Sequence, residues 1–545
     1  MFVLLHRETN KGMKNQFLET ANNGSNTTLT ENGAMAFFTV GNALADQFGK
    51  AGSYRGRDIR LVFKDQQELW NEDPEKALRF IFYLRNITRK VKELDGNVTE
   101  ITMGQGNRDE SFKRLLWLAK YQPETFYKNL IMIPLVGSWK DLWTLLYYDK
   151  VLGVDAINYV GRGNIYHTLM FGMKYDSSVD LIKKFMPRIR AEKKCTTEFS
   201  ELMNRYAKEF ARYMKVSYGD YNKFKSSGNA HTFQQLISKQ EYDKLDWNKI
   251  PGKAMLLMAA SKFLGNHDLL EPFSSWVEST LTAKFTGYAY DLVEVALDAR
   301  AKDKKGLKIL LNKQFDRLVN VAKEKGKQTG NVWCALDTSG SMFTEIGNGK
   351  LKAIDVCIGL GIFFSTLNTG EFHKSVVMFD DTSTAMRLKG EFCDMVNQIM
   401  NTRTAWGSTN FNSVIAELVR IRRQKPYVPL EDYPTTILVV SDMQFNDTSR
   451  GTTPHEESLA LLRTEFPDEY VDNLKFVWWD CTGRVGNYPA TLNDSGNYFF
   501  SGFDGSIVQL LLGNEVETKE KKHPTMEEII ERALNQKFFD YLKIS

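Results

Sequence analysis

The sequence predicts two architectures in one chain: an α-helical repeat region with HEAT-like stacking, then a doubly wound α/β domain. Amphipathic segments at helical spacing follow one another to about residue 325. From about residue 330, short apolar runs alternate with helical patterns, as in a parallel sheet covered on both faces. The first of those runs ends in a loop rich in hard oxygens, where such sheets hold their ligands. The expected divisions are a flexible segment over 1–30, the helical region over 31–328, the α/β domain over 329–515 and a C-terminal docking helix over 516–545.

Residues 1–30 are polar and rich in Asn, Thr and Gly, a composition that does not bury a core. The first twelve, MFVLLHRETNKG, are expected to be dispensable, with Met13 as an alternative start. ENGAMAFFTVGNALADQFGKAG sets Ala34, Phe37, Phe38, Ala43, Leu44 and Phe48 at helical spacing. DPEKALRFIFYLRNI opens with an Asp-Pro helix entry and presents Ala77, Phe80, Ile81 and Leu84 on one face. RDESFKRLLWLAKYQPETF and KDLWTLLYYDKVLG repeat the theme, without a clean period, and their aromatic stripes read as core. The middle of the chain stays helical and carries two basic clusters. KKFMPRIRAEKK holds Lys183, Lys184, Arg188, Arg190, Lys193 and Lys194, and between Arg300 and Lys327 ten Lys/Arg face three Asp/Glu. Runs of this kind are ordinarily solvated faces.

In the α/β part, strands are expected at 332–336, 374–379, 436–440, 475–480 and near 497–500, with helices at 349–366, 410–424, 455–464 and 505–512. PTMEEIIERALNQKFFDYLKIS then offers a Thr525–Glu528 capping box and an apolar face of Ile529, Ile530, Leu534, Phe538 and Leu542. That helix is expected to dock on another part of the chain.

The chemistry concentrates in NVWCALDTSGSM. Asp337, Ser339 and Ser341 stand on alternate positions of a tight loop after an apolar strand, so three oxygens reach one spot. Thr409, in WGSTNF ahead of a helical pattern, and Asp442, at the end of TILVVSD, add two more. Five hard oxygens at strand ends suit Mg²⁺ or Mn²⁺. The set offers two carboxylates but no general base or second-metal cluster, and Ser339 lies outside a G-x-S-x-G elbow, so hydrolase or nuclease chemistry is disfavoured.

Composition narrows the classes further. The chain is 42% hydrophobic and 25% charged, ordinary for a globular protein, and its net charge of +4 leaves nucleic-acid binding to a local patch. Cys195, Cys334, Cys357, Cys393 and Cys481 are scattered without a C-x-x-C pair, as expected of reduced thiols in the cytoplasm. The longest apolar run, AIDVCIGLGIFFSTL, is too short to span a bilayer and contains Asp355. A cytoplasmic monomer with no membrane attachment is expected.

The five oxygens, on DTSGSM, GSTNF and SDMQF, resemble the metal-ion-dependent adhesion site (MIDAS) of von Willebrand factor A domains. A helical array followed by such a domain resembles the Ro (TROVE) RNA-binding proteins, and most of all an uncharacterised Ro-like family of plants, fungi and viruses. The resemblance runs from about Glu31 to the C-terminus and is carried by ENGAMAFFTVGNAL, DPEKALRFIFYLRNI, GNRDESFKRLLWLAKYQPETF, IMIPLVGSWKDLW, KIPGKAM and GNYFFSGFDGSIVQLLL. It implies a helical ring closed against an A domain that carries a magnesium ion, and a non-catalytic protein that binds single-stranded or small structured RNA, as in RNA quality control. The Ro RNA-contacting residues have no one-to-one equivalents here. Arg85, Arg89, Arg108, Lys113, Arg114 and Lys140, at or near helix ends of the first array, are the RNA-contact candidates. The alternative function is a protein–protein adaptor, in which the metal captures an acidic side chain of a partner.

Overall fold

The computed structural model describes residues 26–87, 89–92, 98–174, 176–227, 233–298, 306–325, 331–346, 351–402, 407–448, 451–484, 486–503 and 524–545. Two short antiparallel pairs belong to the first hundred residues: β1 (Thr27–Leu29) with β2 (Met35–Phe37), and β3 (Arg89–Lys92) with β4 (Val98–Thr102). A six-stranded sheet follows, built from β5 (Val332–Asp337), β6 (Ser375–Phe379), β7 (Ser383–Arg387), β8 (Thr436–Ser441), β9 (Lys475–Asp480) and β10 (Asn497–Ser501). Its order is β10-β9-β8-β5-β6-β7, parallel throughout except for the antiparallel edge strand β7. Every residue of β5, β8 and β10 is buried, which is why these strands read as continuous apolar runs rather than alternating ones. The chain winds outward from β5 in both directions, so the strand order reverses between β5 and β8. Ligand sites of doubly wound sheets form outside the carboxyl ends at this point.

The apolar run AIDVCIGLGIFFSTL is the helix Ala353–Leu367, buried on nearly every side. Its two glycines let neighbours approach from opposite faces. A Cβ on Gly359 would lie 2.8 Å from the backbone nitrogen of Tyr290, and one on Gly361 would lie 2.3 Å from a Leu336 methyl in β5. The helix is thereby pressed between the sheet and the helix Ala289–Leu297 of the helical region.

Helices then run through the first three hundred residues, among them Ile59–Glu72, Pro74–Arg85, Arg108–Tyr121, Trp139–Val151 and Glu198–Tyr213. Asp73 caps Pro74–Arg85 by accepting from the Lys76 N–H at 3.0 Å, as the Asp-Pro entry predicts. The array meets the sheet at both ends. At its start, the helix Ala43–Lys50 lies on β10, and Lys50 Nζ reaches Asp480 at 2.6 Å in a fully buried ion pair. At its finish, the helix Leu307–Lys325 packs on the helix Phe392–Thr402 of the α/β domain, with Phe315 stacked on Phe392 at 4.4 Å.

Several expectations need correction. Order begins before residue 31, because Thr27–Leu29 is already a strand, while residues 1–25 lie outside the described set. The run from Ala34 to Phe48 is not one helix. Residues 35–37 form β2, the chain turns through Gly41 (φ +111°), and Asn42 caps a helix that starts only at Ala43. β3, β4 and β7 were not expected. The helix predicted at 505–512 falls outside the described residues. The C-terminal helix is Met526–Leu534 with its Thr525–Glu528 capping box formed, and it docks on Pro74–Arg85 and β10. It ends there, and Lys537–Tyr541 is a tighter turn that buries Phe539 in place of Phe538. The five cysteines are free and buried. No helix among the described residues is long and apolar enough to cross a membrane.

A candidate metal centre under an N-terminal cover

Asp337 ends β5 and Asp442 follows β8, the two strands that flank the reversal in strand order, so the topology sets the two carboxylates side by side. Both are fully buried. Ser441, the last residue of β8, donates its hydroxyl to Asp337 Oδ2 at 2.5 Å. The Ser339 N–H donates to Asp337 Oδ1 at 2.9 Å, which folds the loop back on its strand, and the Ser339 and Ser341 hydroxyls lie 3.1 Å apart. Alternate spacing therefore does in space what it suggested in sequence.

Thr409 arrives from a separate loop. The Gly340 N–H donates to the Gly407 carbonyl at 3.2 Å, tying this loop to the serine loop. Asn446 clamps Thr409 from the other side, accepting its N–H at Oδ1 (2.8 Å) and donating its own N–H to the Thr409 carbonyl (2.9 Å). Between Asp442 and Asn446 the chain passes through Met443 with φ +61°, a left-handed conformation that a bulky residue rarely takes. Met443 is buried, and its N–H donates to Ser441 Oγ at 3.0 Å, which holds the turn in place.

The two carboxylates share a dry space. Burial pushes the Asp337 carboxyl up, and the neighbouring Asp442 adds to the shift. Burial also raises Asp442, opposed by the Arg484 guanidinium and the Ser341 hydroxyl. Asp442 Oδ2 is buried without a hydrogen-bond partner. Two carboxylates, one of them with an unpartnered oxygen, and three hydroxyls match the donor preferences of Mg²⁺ or Mn²⁺.

Sequence reasoning missed the residues around this set. Ser441, Gln444 and Asn446 sit within SDMQFN and were adjacent to a recognised ligand. Asn32, Glu31 and Arg484 are remote. Asn32 Nδ2 donates to the Gln444 carbonyl at 2.5 Å and lies 3.5 Å from Thr409 Oγ1, while Glu31 pairs with Arg484 at 2.6 Å.

The six RNA-contact candidates do not form one surface. Arg114 is fully buried, bonded to Glu110, Gln66 and Gln47, and Lys113 is buried on Asp109 and the Arg57 carbonyl. Arg85 pairs with the buried Asp141 at 2.6 Å. Arg89 lies on β3 rather than at a helix end, and donates to the carbonyls of Leu135 and Val136. Arg108 and Lys140 are exposed. Four of the six hold the fold together and are withdrawn as contacts.

A larger basic surface forms where the helix Asp176–Phe185, the strip from Met186 to Lys194 and the helix Tyr218–Ser226 converge. Lys225 Nζ donates to the Lys183 carbonyl at 3.2 Å, Lys183 lies over the Phe224 ring at 4.7 Å, and Arg188 reaches Ser226 Oγ at 3.3 Å. Burial and then the charge of Arg188 hold Lys225 below the usual lysine range. Lys184, Arg188, Arg190, Lys193, Lys194 and Lys223 are exposed there.

Residues 332–542 match a family described as a domain of unknown function (DUF7788), and residues 30–153 match a second one, DUF2828. Uncharacterised protein L728 of Acanthamoeba polyphaga mimivirus is 22% identical over 519 residues, which cover 90% of this chain and 85% of that protein. The crystal structure of the Ro (RSR) protein of Deinococcus radiodurans superposes with a TM-score of 0.43 at 11% identity, over 86% of this chain and 98% of that one. The chain thus joins a DUF2828 match at its start to a DUF7788 match at its end, on one polypeptide.

Proposed function

We propose that this is a non-catalytic RNA-binding protein whose α/β domain carries a divalent metal, Mg²⁺ or Mn²⁺, held by Asp337, Ser339, Ser341, Thr409 and Asp442. The observation that carries the RNA reading is the basic surface of three converging segments. Lys183, Lys184, Arg188, Arg190, Lys193, Lys194, Lys223 and Lys225 meet there, against Asp176, Asp180, Glu192 and Asp220 as the acids of the same segments. Such a surface neutralises phosphates and reads no sequence. The bound ion would supply positive charge to two buried carboxylates and a coordination position for an oxygen. Asp337 and Asp442 bring the negative charge, Ser441 fixes the Asp337 carboxylate, and Asn446 fixes Thr409. Nothing in the set removes a proton from a substrate, which supports a binding rather than a catalytic role.

Fluorescence anisotropy with a short unstructured RNA at several salt concentrations tests the RNA reading. Affinity should fall with salt, with a slope near 0.7 per phosphate contact. Replacing Lys184, Arg188, Lys193 and Lys194 by Ala should lower that slope by up to about 3, at about 0.7 for each contact removed. Absence of binding at low salt, or binding that the fourfold substitution leaves untouched, would defeat the proposal.

A further inference from the structure

A cavity of about 250 Å³ lies in the helical region, where the turn Trp247–Lys249, the helix Leu270–Ser279 and the loop after that helix meet. Its lining includes the buried Ile250, Met255 and Gln314 and the exposed Leu281 and Lys284. The volume falls below the roughly 300–1,000 Å³ of sites that enclose drug-sized ligands, so it suits one ring system.

The walls are set within the chain. Lys313, on the helix Leu307–Lys325, donates Nζ to the carbonyls of Val277 and Thr280 at 2.6 and 2.5 Å, which fixes the helix end and the start of the loop. Its neighbour Gln314 donates Nε2 to the carbonyls of Gly252 and Lys284 at 3.1 and 3.3 Å, which ties the loop to the helix Gly252–Ala260. Trp247 and Trp276, both half-buried, line the cavity with indole planes 28° apart and centroids 6.2 Å apart. Trp276 Nε1 donates to Asn248 Oδ1 at 3.2 Å, and Trp247 packs at 63° against the buried Phe273. Both rings are thus oriented without a ligand. With its only donor committed, Trp276 offers an incoming group its π-surface alone.

Charge decides which planar group fits. Among the described residues, Lys284 is the one charged residue of the lining, and no carboxylate belongs to it. Asp246, just ahead of Trp247, is paired with Lys249 at 3.2 Å. Lys313 covers carbonyls at the helix end, where partial negative charge would otherwise repel an anion. A methylated ammonium group would find aromatic faces but a lysine beside them. An aromatic ring joined to an anion finds a partner for each part.

We propose that this cavity takes one nucleobase, stacked on Trp247 and Trp276, with the adjoining phosphate on Lys284. The base is one of a single-stranded RNA, which rests on the RNA reading above and adds to it a contact of another kind. Every base has a π-face, so the site accepts any of them, and stacking does not release counterions.

The test uses the full-length chain and three probes: the short unstructured RNA, an abasic strand of the same length, and adenosine 5′-monophosphate. Anisotropy reads the strands, and tryptophan quenching reads the mononucleotide. Trp276→Leu keeps an apolar side chain and removes the ring. It should weaken the RNA about tenfold at every salt concentration with the slope unchanged, and should bind the abasic strand as the wild type does. Lys284→Ala, at an exposed position, should lower the slope by about 0.7. A thermal melt shows whether Trp276→Leu is folded, and if it is not, Lys284→Ala decides alone. Wild-type RNA affinity and slope in these variants, with the fourfold basic substitution still effective, would overturn the base site and leave the RNA reading standing. If the wild type bound no RNA, yet the mononucleotide quenched it and not Trp276→Leu, the RNA reading would fall and the strand would be overturned as the source of the base. Silence from all three probes would overturn both.

Discussion

Asp337 and Asp442 share one dry space, so each makes the other's charge more costly until a cation arrives. Asp337→Asn removes one of the two charges at nearly constant shape. The variant should melt at least as high as the wild type without metal, and should lose the upward shift that saturating Mg²⁺ gives the wild type. That shift corresponds to about 2.7 kcal/mol at a hundredfold excess over the dissociation constant. Thermal melts with Mg²⁺ and with chelator check both halves. A second titratable group sits inside the α/β domain. His455, buried against Phe476 and within 3.1 Å of Asn497 Nδ2, is lowered from 6.5 to about 4 by burial. Its neutral form costs nothing above pH 6.5. As the pH falls from there toward 4, the unfolded chain takes up the proton and the folded one does not, so stability drops by up to about 3 kcal/mol. His455→Gln should flatten that part of a urea-melt pH profile and leave the neutral range little changed. Asp337, Ser339, Ser341 and Asp442 were legible because they end or directly follow apolar strands, and Thr409 because its small polar run stands just ahead of a helical pattern. Asn32 and Arg484 were not, because nothing local links them to Asp442. The misplaced basic residues had a local warning: in RDESFKR, Asp109 and Glu110 stand four residues ahead of Lys113 and Arg114, the spacing of helical ion pairs.

Among the elements, the helix Ala353–Leu367 joins the two halves of the molecule. Gly359 faces backbone, which cannot rotate away as a side chain can. Gly359→Ala would gain about 1 kcal/mol of helix propensity, whereas Gly359→Val forfeits most of that gain and meets the same wall. The valine variant should be destabilised by about 1–3 kcal/mol. Hydrogen exchange should rise first in Ala289–Leu297, the helix that would have to retreat. A valine variant with unchanged exchange there would show that the two helices have room to spare. The glycines were visible in the apolar run, but their purpose was not, since a sequence does not say which neighbour crosses at a given turn. β5, β8, β9 and β10 were read nearly to the residue because they are buried on both faces. β7 was not, because an edge strand with partly exposed Ser383–Arg387 has no such apolar signature.

For the molecule as a whole, both ends of the described chain are fastened to distant parts. Asn129 exchanges two bonds with the Lys543 backbone, at 2.6 and 2.9 Å, and Gln536 does the same with Met103, at 2.6 and 3.1 Å. Removing residues 524–545 uncovers the face of Pro74–Arg85 on which Ile529, Ile530 and Leu534 lie, and should lower the melting temperature by several degrees, at about 2–4 °C per kcal/mol. An unchanged melting temperature would show the docking to be superficial. The turn at Thr30–Gly33 that lies over the Asp442 loop has a consequence in time as well as in space. A ribosome makes Thr30–Gly33 early and β8 some four hundred residues later, at about 5–20 residues per second. For tens of seconds at those rates the turn has no loop to lie on, and the helix Ala43–Lys50 has no β10 to cover. A segment made long before β8 is thus among the last to find its place, so the nascent protein depends on whatever shields Phe37, Phe48 and their neighbours until the sheet is complete.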